Sequence, residues 1–248
     1  MLKKGPLLYE GKGKKVHSVE GHSDRIILFF KDSLTAYEGA KKGSFTGKGA
    51  ICRNVFSLVF RYLKTQGVLN HWIEDRGAEE SVCLKTHIIP LEVVIRNRLA
   101  GSTAKRLGLE EGNSIPSPLL EYYYKKDELH DPFVSEDQII QLSLIKEKNI
   151  LPEIKTQAFL INEKLKAFFS EAGIELIDFK MEFGTTSKGL ILADDITPDS
   201  CRLWDMKDGW RMDKDRFRQG WGQVEKGYQT ILEKISQRWK KELDEGLS

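Results

Sequence analysis

The chain has few cysteines and no long apolar run, and each shortage excludes a class of protein. Its 248 residues include 3 cysteines, Cys52, Cys83 and Cys201, which are far apart and form no CxxC pair. This pattern argues against a disulfide framework or a zinc site and predicts buried thiols in a reducing compartment. No apolar run approaches the roughly 18 residues of a membrane span, so we expect no membrane association.

An excess of charge of either sign is also absent. The 39 lysine and arginine residues nearly balance 37 aspartate and glutamate residues, which leaves a formal net charge of +2. Such a balance gives no global attraction to nucleic acid, so we expect no nucleic-acid partner. Residues 1–6 lack the apolar stretch of a signal peptide, which favours a cytoplasmic protein.

What the sequence does contain is the apolar patterning of an α+β protein. An unbroken apolar run at 26–30 is typical of a buried strand, and apolar residues spaced three and four apart predict a helix over 50–66. We predict further strands at 7–10, 15–19, 82–84, 93–95, 176–183 and 190–193, helices at 135–145, 154–172 and 224–243, and loops at 114–118 and 130–132. This order favours a smaller N-terminal lobe, residues 1–88, and a larger C-terminal lobe, residues 89–248.

The most informative segment covers residues 176–184, where apolar and polar side chains alternate strictly. In a strand, Asp178, Lys180 and Glu182 would share one face. A hairpin with the following strand would bring Glu182 near the acid pair at 194–195. Two carboxylates beside a lysine suit the chemistry of a magnesium-bound nucleotide, because Mg²⁺ prefers hard oxygen ligands and the ammonium group neutralises phosphate charge.

The same alternation also fits a solvated strand face that carries a ladder of salt bridges. Against that interpretation, the acids continue into a polar turn at 196–200, which is unlike a simple strand exit. The sequence alone therefore leaves the two interpretations about equally strong.

A second candidate is the turn formed by Gly11, Lys12, Gly13 and Lys14 between two predicted strands. Glycines let a backbone approach phosphate closely, and lysines supply positive charge. The turn is not a Walker A motif, and neither is the glycine-rich segment 43–49, because both lack the required spacing. An ordinary surface turn remains the alternative.

Arginines form the third candidate group. Arg96 and Arg98 precede a Gly-Ser turn that ends at Ser102, and Arg202 and Arg218 follow later in the chain. Guanidinium groups can hold a phosphate or carboxylate through two parallel hydrogen bonds. The alternative is a set of exposed arginines with no ligand.

Taken together, these segments resemble the SAICAR synthetase family over nearly the whole chain. The matching blocks are in order and comprise residues 9–14, 88–102, 130–132, 176–184, 199–205 and 213–219. The resemblance implies a two-lobed α+β fold with a kinase-like, mostly antiparallel N-terminal lobe and ATP in the cleft. It also implies an ATP-dependent ligase of de novo purine biosynthesis. That enzyme joins L-aspartate to the carboxylate of carboxyaminoimidazole ribonucleotide (CAIR), giving SAICAR, ADP and phosphate through an acyl phosphate.

The resemblance further implies a nucleotide half of the site. The residues implied for ATP are Gly11, Lys12, Gly13, Lys14, Ile88, Lys180, Glu182 and Asp194. Among them, the glycine–lysine turn would lie on the phosphates and Ile88 on the adenine. Glu182 and Asp194 would also bind Mg²⁺.

The implied substrate half lies elsewhere in the chain. The residues implied for CAIR and its surroundings are Arg96, Ser102, Asp131, Arg202 and Arg218. Catalytic roles would fall to Lys180, Asp178 and Glu38. Glu38 stands where the family commonly has Asp, so its role stays open, as does the role of Asp195 where the family commonly has Glu.

Two other functions stay compatible with the sequence. A different ATP-using phosphotransferase would share the phosphate and Mg²⁺ residues without needing Arg96, Ser102 and Asp131 together. A nucleic-acid-binding module would use the basic turns, although the near-neutral net charge argues against it. Because relatives of this length are often homodimers, we also expect a homodimer or a larger homo-oligomer.

Overall fold

A computed structural model of the chain describes residues 2–146 and 148–246, without the side chains of Glu38 and Lys148. Its strands are β1 (Lys4–Glu10), β2 (Lys14–Val19), β3 (His22–Phe30), β4 (Ser33–Ala36), β5 (Lys41–Ser44), β6 (Trp72–Arg76), β7 (Glu80–Leu84), β8 (His87–Arg98), β9 (Ser114–Tyr124), β10 (Phe133–Val134), β11 (Ile174–Thr186), β12 (Gly189–Ala193) and β13 (Cys201–Asp205). Its α-helices are α1 (Lys48–Thr65), α2 (Gly101–Leu107), α3 (Glu136–Gln141), α4 (Leu151–Glu171), α5 (Asp215–Gln219) and α6 (Val224–Gly246). Among these described residues, no helix has the length and apolar character needed to cross a membrane.

The N-terminal sheet has five antiparallel strands in the spatial order β1-β2-β3-β7-β6. Its first hairpin places the glycine–lysine turn, residues 11–14, between β1 and β2. The predicted apolar stripe on α1 is confirmed, since its members are all buried: Ile51, Val55, Leu58, Val59, Tyr62 and Leu63. The separate ribbon of β4 and β5 is joined by a short 3₁₀ turn at Tyr37–Gly39.

The C-terminal sheet is organised around β11. It has the order β10-β9-β8-β11-β12, and β13 pairs with β11 as well. One edge of β11 pairs with β8, while its other edge pairs first with β13 and then with β12. Helix α4 packs against β11 and β8, so the apolar face of β11 is buried. Strands β8, β12 and β13 therefore all contribute side chains to the polar face of β11.

A single apolar core joins the two sheets. It contains Leu28 of β3 and Phe56 of α1 together with Ile95 of β8 and Phe179 of β11. The predicted division between residues 88 and 89 falls at the start of β8, and this lobe boundary remains a prediction.

Two local predictions were wrong. Residues 114–118 were expected to form a loop, but they form the first half of β9. Prolines at 116 and 118 fit there because the register between β8 and β9 shifts after Arg96, and a proline at an irregular pair need not donate to the ladder. The helix expected to reach residue 145 ends at Gln141, although the predicted capping box between Ser135 and Gln138 is present.

The burial of the cysteine thiols is confirmed. Cys52, Cys83 and Cys201 are free and buried. Burial raises the pKa of Cys52 to about 12, so that this thiol stays protonated and unreactive near neutral pH.

Candidate active site

The polar face of β11 is not solvated. Asp178 is 3% exposed and Glu182 is 1% exposed, which excludes an open ladder of surface salt bridges at these positions. Lys180 Nζ donates to Glu92 Oε1 at 2.7 Å and to Glu182 Oε1 at 3.1 Å. Lys125 Nζ donates to the other oxygen of Glu182. Like charges at directly opposed positions destabilise a sheet, and Glu92 and Glu182 are opposed in the register of β8 and β11. The two lysines offset that repulsion.

The hairpin predicted between β11 and β12 is confirmed. Its register places Glu182 opposite Ala193, so Asp194 follows directly at the end of β12. Asp194 adopts a left-handed conformation with φ of 56°, which turns the chain away from the sheet at this point. Lys14 Nζ contacts the carboxylates of both Asp194 and Asp195. The turn after β1 therefore meets the end of β12, although the two are far apart in sequence.

The charges of this cleft stabilise one another. Burial alone would lower the pKa of Lys180, but the negative charges of Glu182, Glu92 and Asp194 outweigh burial and raise that pKa above its usual value. Burial likewise opposes ionisation of Asp194, yet Lys14, Lys180 and Lys125 hold the pKa of its carboxyl well below the usual range. Lys180 is therefore charged and Asp194 ionised at neutral pH.

Glu182 and Asp194 fit the requirements of a magnesium site in part. Both provide hard oxygen ligands, and Asp194 is held ionised. Among residues 2–146 and 148–246, however, no group of three or more His, Cys, Asp or Glu side chains is arranged to hold a metal ion. The donor set suits Mg²⁺ that is shared with substrate phosphates and water, because Mg²⁺ usually takes only one or two carboxylates from a protein.

The glycine–lysine turn has a defined backbone. Gly11 N donates to Lys14 O at 2.9 Å, and Gly13 O accepts from Lys31 N at 2.9 Å. Lys12 points outward and lies 3.5 Å from Asp127. Ile88, predicted to lie on the adenine, is 43% exposed on β8, opposite Gly184 of β11.

Three strands align the arginines with one buried acid. In the sheet register, Asp178 of β11 is opposite Arg96 of β8 on one side and Arg202 of β13 on the other. Arg96 Nη1 and Arg202 Nη1 both donate to Asp178 Oδ2, at 2.5 Å and 2.8 Å. Arg202 Nε donates to Asp215 Oδ2 at 2.6 Å, and Arg218 Nη1 donates to Asp215 Oδ1 at 2.5 Å. We call this alternating series, Arg96–Asp178–Arg202–Asp215–Arg218, the arginine chain.

The arginine chain is fixed to the fold at Arg96 and at Asp215. Arg96 Nε donates to the buried Glu121 Oε2 at 2.7 Å, and its Nη2 donates to Ser102 Oγ at 3.1 Å. Asp215 N donates to Asp213 Oδ1 at 2.8 Å, and Asp213 is wholly buried. Burial alone would lower the pKa of Arg202, but Asp178 and Asp215 outweigh it and raise that pKa.

A glycine is required beside the arginine chain. Gly101 has φ of +58°, and a Cβ atom at this position would lie 2.5 Å from Arg202 Nη2. Any other residue would combine an unfavourable backbone with a clash against the guanidinium group. The Gly-Ser turn noted in the sequence therefore has a steric cause.

The predicted substrate residue Asp131 is not joined to these groups by the contacts that the structure describes. Asp131 Oδ1 accepts from Lys126 N at 2.7 Å and so closes its own turn, which also carries Lys125. The side chain of Glu38 lies outside the described part of the chain.

The structure also places residues that the sequence reasoning did not name for the site. They are Glu92, Glu121, Lys125, Asp199, Lys48 and Asp215. Glu92, Asp199 and Asp215 fall inside the segments that carry the family resemblance, whereas Lys48 lies in the glycine-rich segment 43–49, which does not form a Walker A motif.

A glycine–lysine turn in contact with two carboxylates, with a chain of paired arginines alongside, concentrates charges of the kind that anionic substrates require. A family model described as SAICAR synthetase matches residues 7–235. The chain therefore belongs to the SAICAR synthetase family, the ligase class predicted from its sequence.

Individual relatives agree with this membership. The phosphoribosylaminoimidazole-succinocarboxamide synthase of Campylobacter fetus subsp. fetus is 46% identical and covers 94% of this chain and 99% of its own length. The protein of the same name from Halalkalibacterium halodurans is 44% identical over 96% of this chain and its whole length, 100%.

Solved structures agree as well. The synthase of the same name from Ehrlichia chaffeensis has a TM-score of 0.89 at 38% identity and covers 93% of this chain and 98% of its own. A SAICAR synthetase in complex with ADP has a TM-score of 0.87 at 40% identity, with the same coverage of 93% and 98%. The predicted α+β fold class is thereby confirmed.

Replacement of Asp178 by asparagine should destabilise the fold strongly, because it leaves Arg96 and Arg202 facing each other without the charge between them. We expect a loss of about 3 kcal/mol or more in the free energy of unfolding, the cost of breaking a buried ion pair. Glu175→Gln is the matched control, since Glu175 is also on β11 and pairs with Arg98 of β8, but its side chain is 38% exposed. That change should cost less than about 1 kcal/mol. Chemical denaturation measures both, and equal losses would contradict the structural role of Asp178.

Proposed function

We propose that this protein is the ATP-dependent ligase that joins the amino group of L-aspartate to the carboxylate of CAIR, with SAICAR, ADP and phosphate as products. The observation that carries the proposal is the contact of Lys14 with Asp194 and Asp195. It brings a phosphate-binding turn and two acids into one cleft, close to the lysines on the polar face of β11.

On this proposal, the nucleotide lies between the two sheets. The turn of Gly11, Lys12, Gly13 and Lys14 holds the phosphates, and the exposed Ile88 contacts the adenine. Residues 1–88 and 89–248 are then the two lobes that enclose ATP. The relative solved with ADP supports nucleotide use by this fold.

Glu182 and Asp194 would hold Mg²⁺, which when bound neutralises charge on the phosphate oxygens. The lysines that contact these acids in the structure, Lys14, Lys125 and Lys180, are then available to the phosphates. Before a nucleotide arrives, the negative charges of Glu182, Glu92 and Asp194 outweigh burial and raise the pKa of Lys180, so its ammonium group is charged.

The arginine chain would hold the ribonucleotide. Nε and Nη1 of Arg96 are occupied by the carboxylates of Glu121 and Asp178, so the substrate would take Nη2, which donates to the hydroxyl groups of Ser102 and Tyr123. Arg218 is the more accessible end, with 29% of its side chain exposed. We assign Arg202 and Asp131 to the same substrate, and we assign to Asp178 the orientation of Arg96 and Arg202.

The chemistry follows from the weakness of a carboxylate as an acylating agent. Transfer of the γ-phosphoryl group to a CAIR carboxylate oxygen would release ADP and leave an acyl phosphate. The aspartate amine would then attack the carbonyl carbon, phosphate would leave with the bonding electrons, and the amine would lose a proton. Positioning and charge stabilisation are what the fixed cations provide in such a transfer. Lys180, Asp178 and Glu38 are the residues to which we assign catalytic roles.

Substrate omission tests this function. With Mg²⁺ present, we expect ADP release only when ATP, CAIR and L-aspartate are all supplied, because no single pair completes the reaction. A coupled assay for ADP measures the rate with each substrate left out in turn. Release that is equally fast without L-aspartate would rule out the ligase and would favour a different phosphotransferase.

Replacement of Glu182 by glutamine should lower turnover on the order of a hundredfold or more, because it removes a charged oxygen ligand at the position proposed for Mg²⁺. The glutamine keeps the size of the side chain at this buried position. Glu175→Gln on the same strand serves as the control and should turn over at the wild-type rate. If Glu182→Gln also kept that rate, Glu182 would not belong to the metal site.

A further inference from the structure

Each anionic substrate of the proposed reaction requires cationic side chains to hold it. For one of them, L-aspartate, no such residue has been assigned. The glycine–lysine turn serves ATP, and the arginine chain serves CAIR. L-aspartate carries two carboxylates, which have to be held while its amine attacks. Because the amine must reach the carboxylate carbon of CAIR once an oxygen on that carbon has received the phosphoryl group, the missing cation should lie where the other two groups meet.

A cluster of charged residues lies at that junction. Asp199 accepts a hydrogen bond from Lys48 Nζ through Oδ2 and another from Tyr228 OH through Oδ1, the latter at 2.8 Å. Lys214 Nζ lies 3.7 Å from Oδ1. We call these four residues, Asp199, Lys48, Tyr228 and Lys214, the Asp199 cluster.

Lys214 has the weakest contact in the Asp199 cluster. The 3.7 Å between Lys214 Nζ and Asp199 Oδ1 is longer than a hydrogen bond, and that oxygen already accepts one from Tyr228 OH. Burial lowers the pKa of Lys214, and the positive charges of Arg218 and Lys48 lower it further against the opposing charge of Asp199. The ammonium group of Lys214 therefore lacks a close negative partner. A carboxylate placed next to it would stabilise its charged form.

The position of Lys214 links the two substrate regions. On one side, a Cβ atom on Gly13 would lie 3.6 Å from Asp199 Oδ2, so the phosphate-binding turn lies over the cluster. On the other side, Arg218 N donates to Lys214 O at 3.0 Å, and Lys214 directly precedes Asp215 of the arginine chain. Lys214 thus lies between the residues assigned to ATP and those assigned to CAIR.

Neighbouring lysines do not fit this role. Lys48 is only 1% exposed, so it is closed to a dissolved substrate. Lys41 Nζ donates to the carbonyl oxygens of Phe217 at 2.6 Å and Arg218 at 3.3 Å, which commits its charge to the end of α5. Lys214 keeps 14% of its side chain exposed.

We propose that Lys214 binds a carboxylate of the amino-acid substrate, L-aspartate, at the junction between the glycine–lysine turn and the arginine chain. This inference rests on the proposed function. Asp199 positions the lysine, and Lys48 and Tyr228 hold Asp199 in place. The ammonium group then fixes the amino acid so that its amine faces the activated carboxylate.

The test compares Lys214→Met with Lys214→Arg in the full chain. Initial rates of ADP release are measured with each of the three substrates varied while the other two are saturating. For Lys214→Met, we expect the KM for L-aspartate to rise roughly tenfold or more, the effect of losing one hydrogen bond between charged groups. The KM values for ATP and CAIR should stay close to wild type. Lys214→Arg retains the charge and should recover part of the loss.

Succinate gives a second readout that needs no chemistry at the amine. It has both carboxylates of aspartate and no amino group, so it should compete with L-aspartate. Its inhibition constant should rise in Lys214→Met by a factor similar to the rise in KM. Lys234→Met is the control, because Lys234 pairs at 3.1 Å with Asp205, the last residue of β13, and the change should alter none of these constants.

Other outcomes would overturn the inference. A rise in the KM for ATP would place Lys214 in the phosphate pocket, and a rise for CAIR would place it with the arginines. An unchanged KM for L-aspartate in a variant that folds would remove Lys214 from the amino-acid site. Should Lys214→Met fail to melt cooperatively, Lys214→Gln has to show the same selective change. A wild-type protein that does not need L-aspartate would instead refute the proposed function itself.

Discussion

One buried carboxylate, Asp178, sets the geometry on which the substrate side of this protein depends. The register of three strands places it between Arg96 and Arg202, so that two guanidinium groups share one oxygen. Removing charges from water is costly, and a buried ion pair is therefore weak evidence of stability. What the arrangement provides is position. Asp215 repeats the pattern one step further and spaces Arg202 from Arg218. Binding energy is not spent on ordering these side chains when a substrate arrives.

The side of the cleft proposed for the nucleotide follows the same principle with lysines. Glu92 and Glu182 oppose each other across the sheet, and Lys180 and Lys125 neutralise them. Lys14 enters from the other sheet to contact the acids after β12. An arriving magnesium-bound nucleotide would bring both a cation for the acids and anions for the lysines. The charges can then exchange partners without any of them being left unpaired, which keeps the low-dielectric cleft electrostatically balanced.

Much of this could be predicted from the sequence. Strict alternation at 176–184 and the acids at 194–195 predicted the hairpin, and the order of the motifs predicted the family.

Register could not be predicted, because the sequence does not say which residues of β8 and β13 stand opposite Asp178. Lys48 and Lys214 were missed as partners of Asp199 for a related reason. They come from helix starts that are far apart in sequence, and only tertiary packing joins them. The loop expected at 114–118 shows the converse, since prolines that argue against a strand are accommodated where the ladder is irregular.

In the proposed mechanism, the CAIR carboxylate is phosphorylated before the amine attacks. Oxygen tracing tests it most directly. If CAIR is labelled with ¹⁸O in its carboxylate and turned over with ATP and L-aspartate, an acyl phosphate transfers one carboxylate oxygen to the departing phosphate. We therefore expect one labelled oxygen in each phosphate released, as measured by mass spectrometry or ³¹P NMR. Phosphate released without the label would contradict the mechanism.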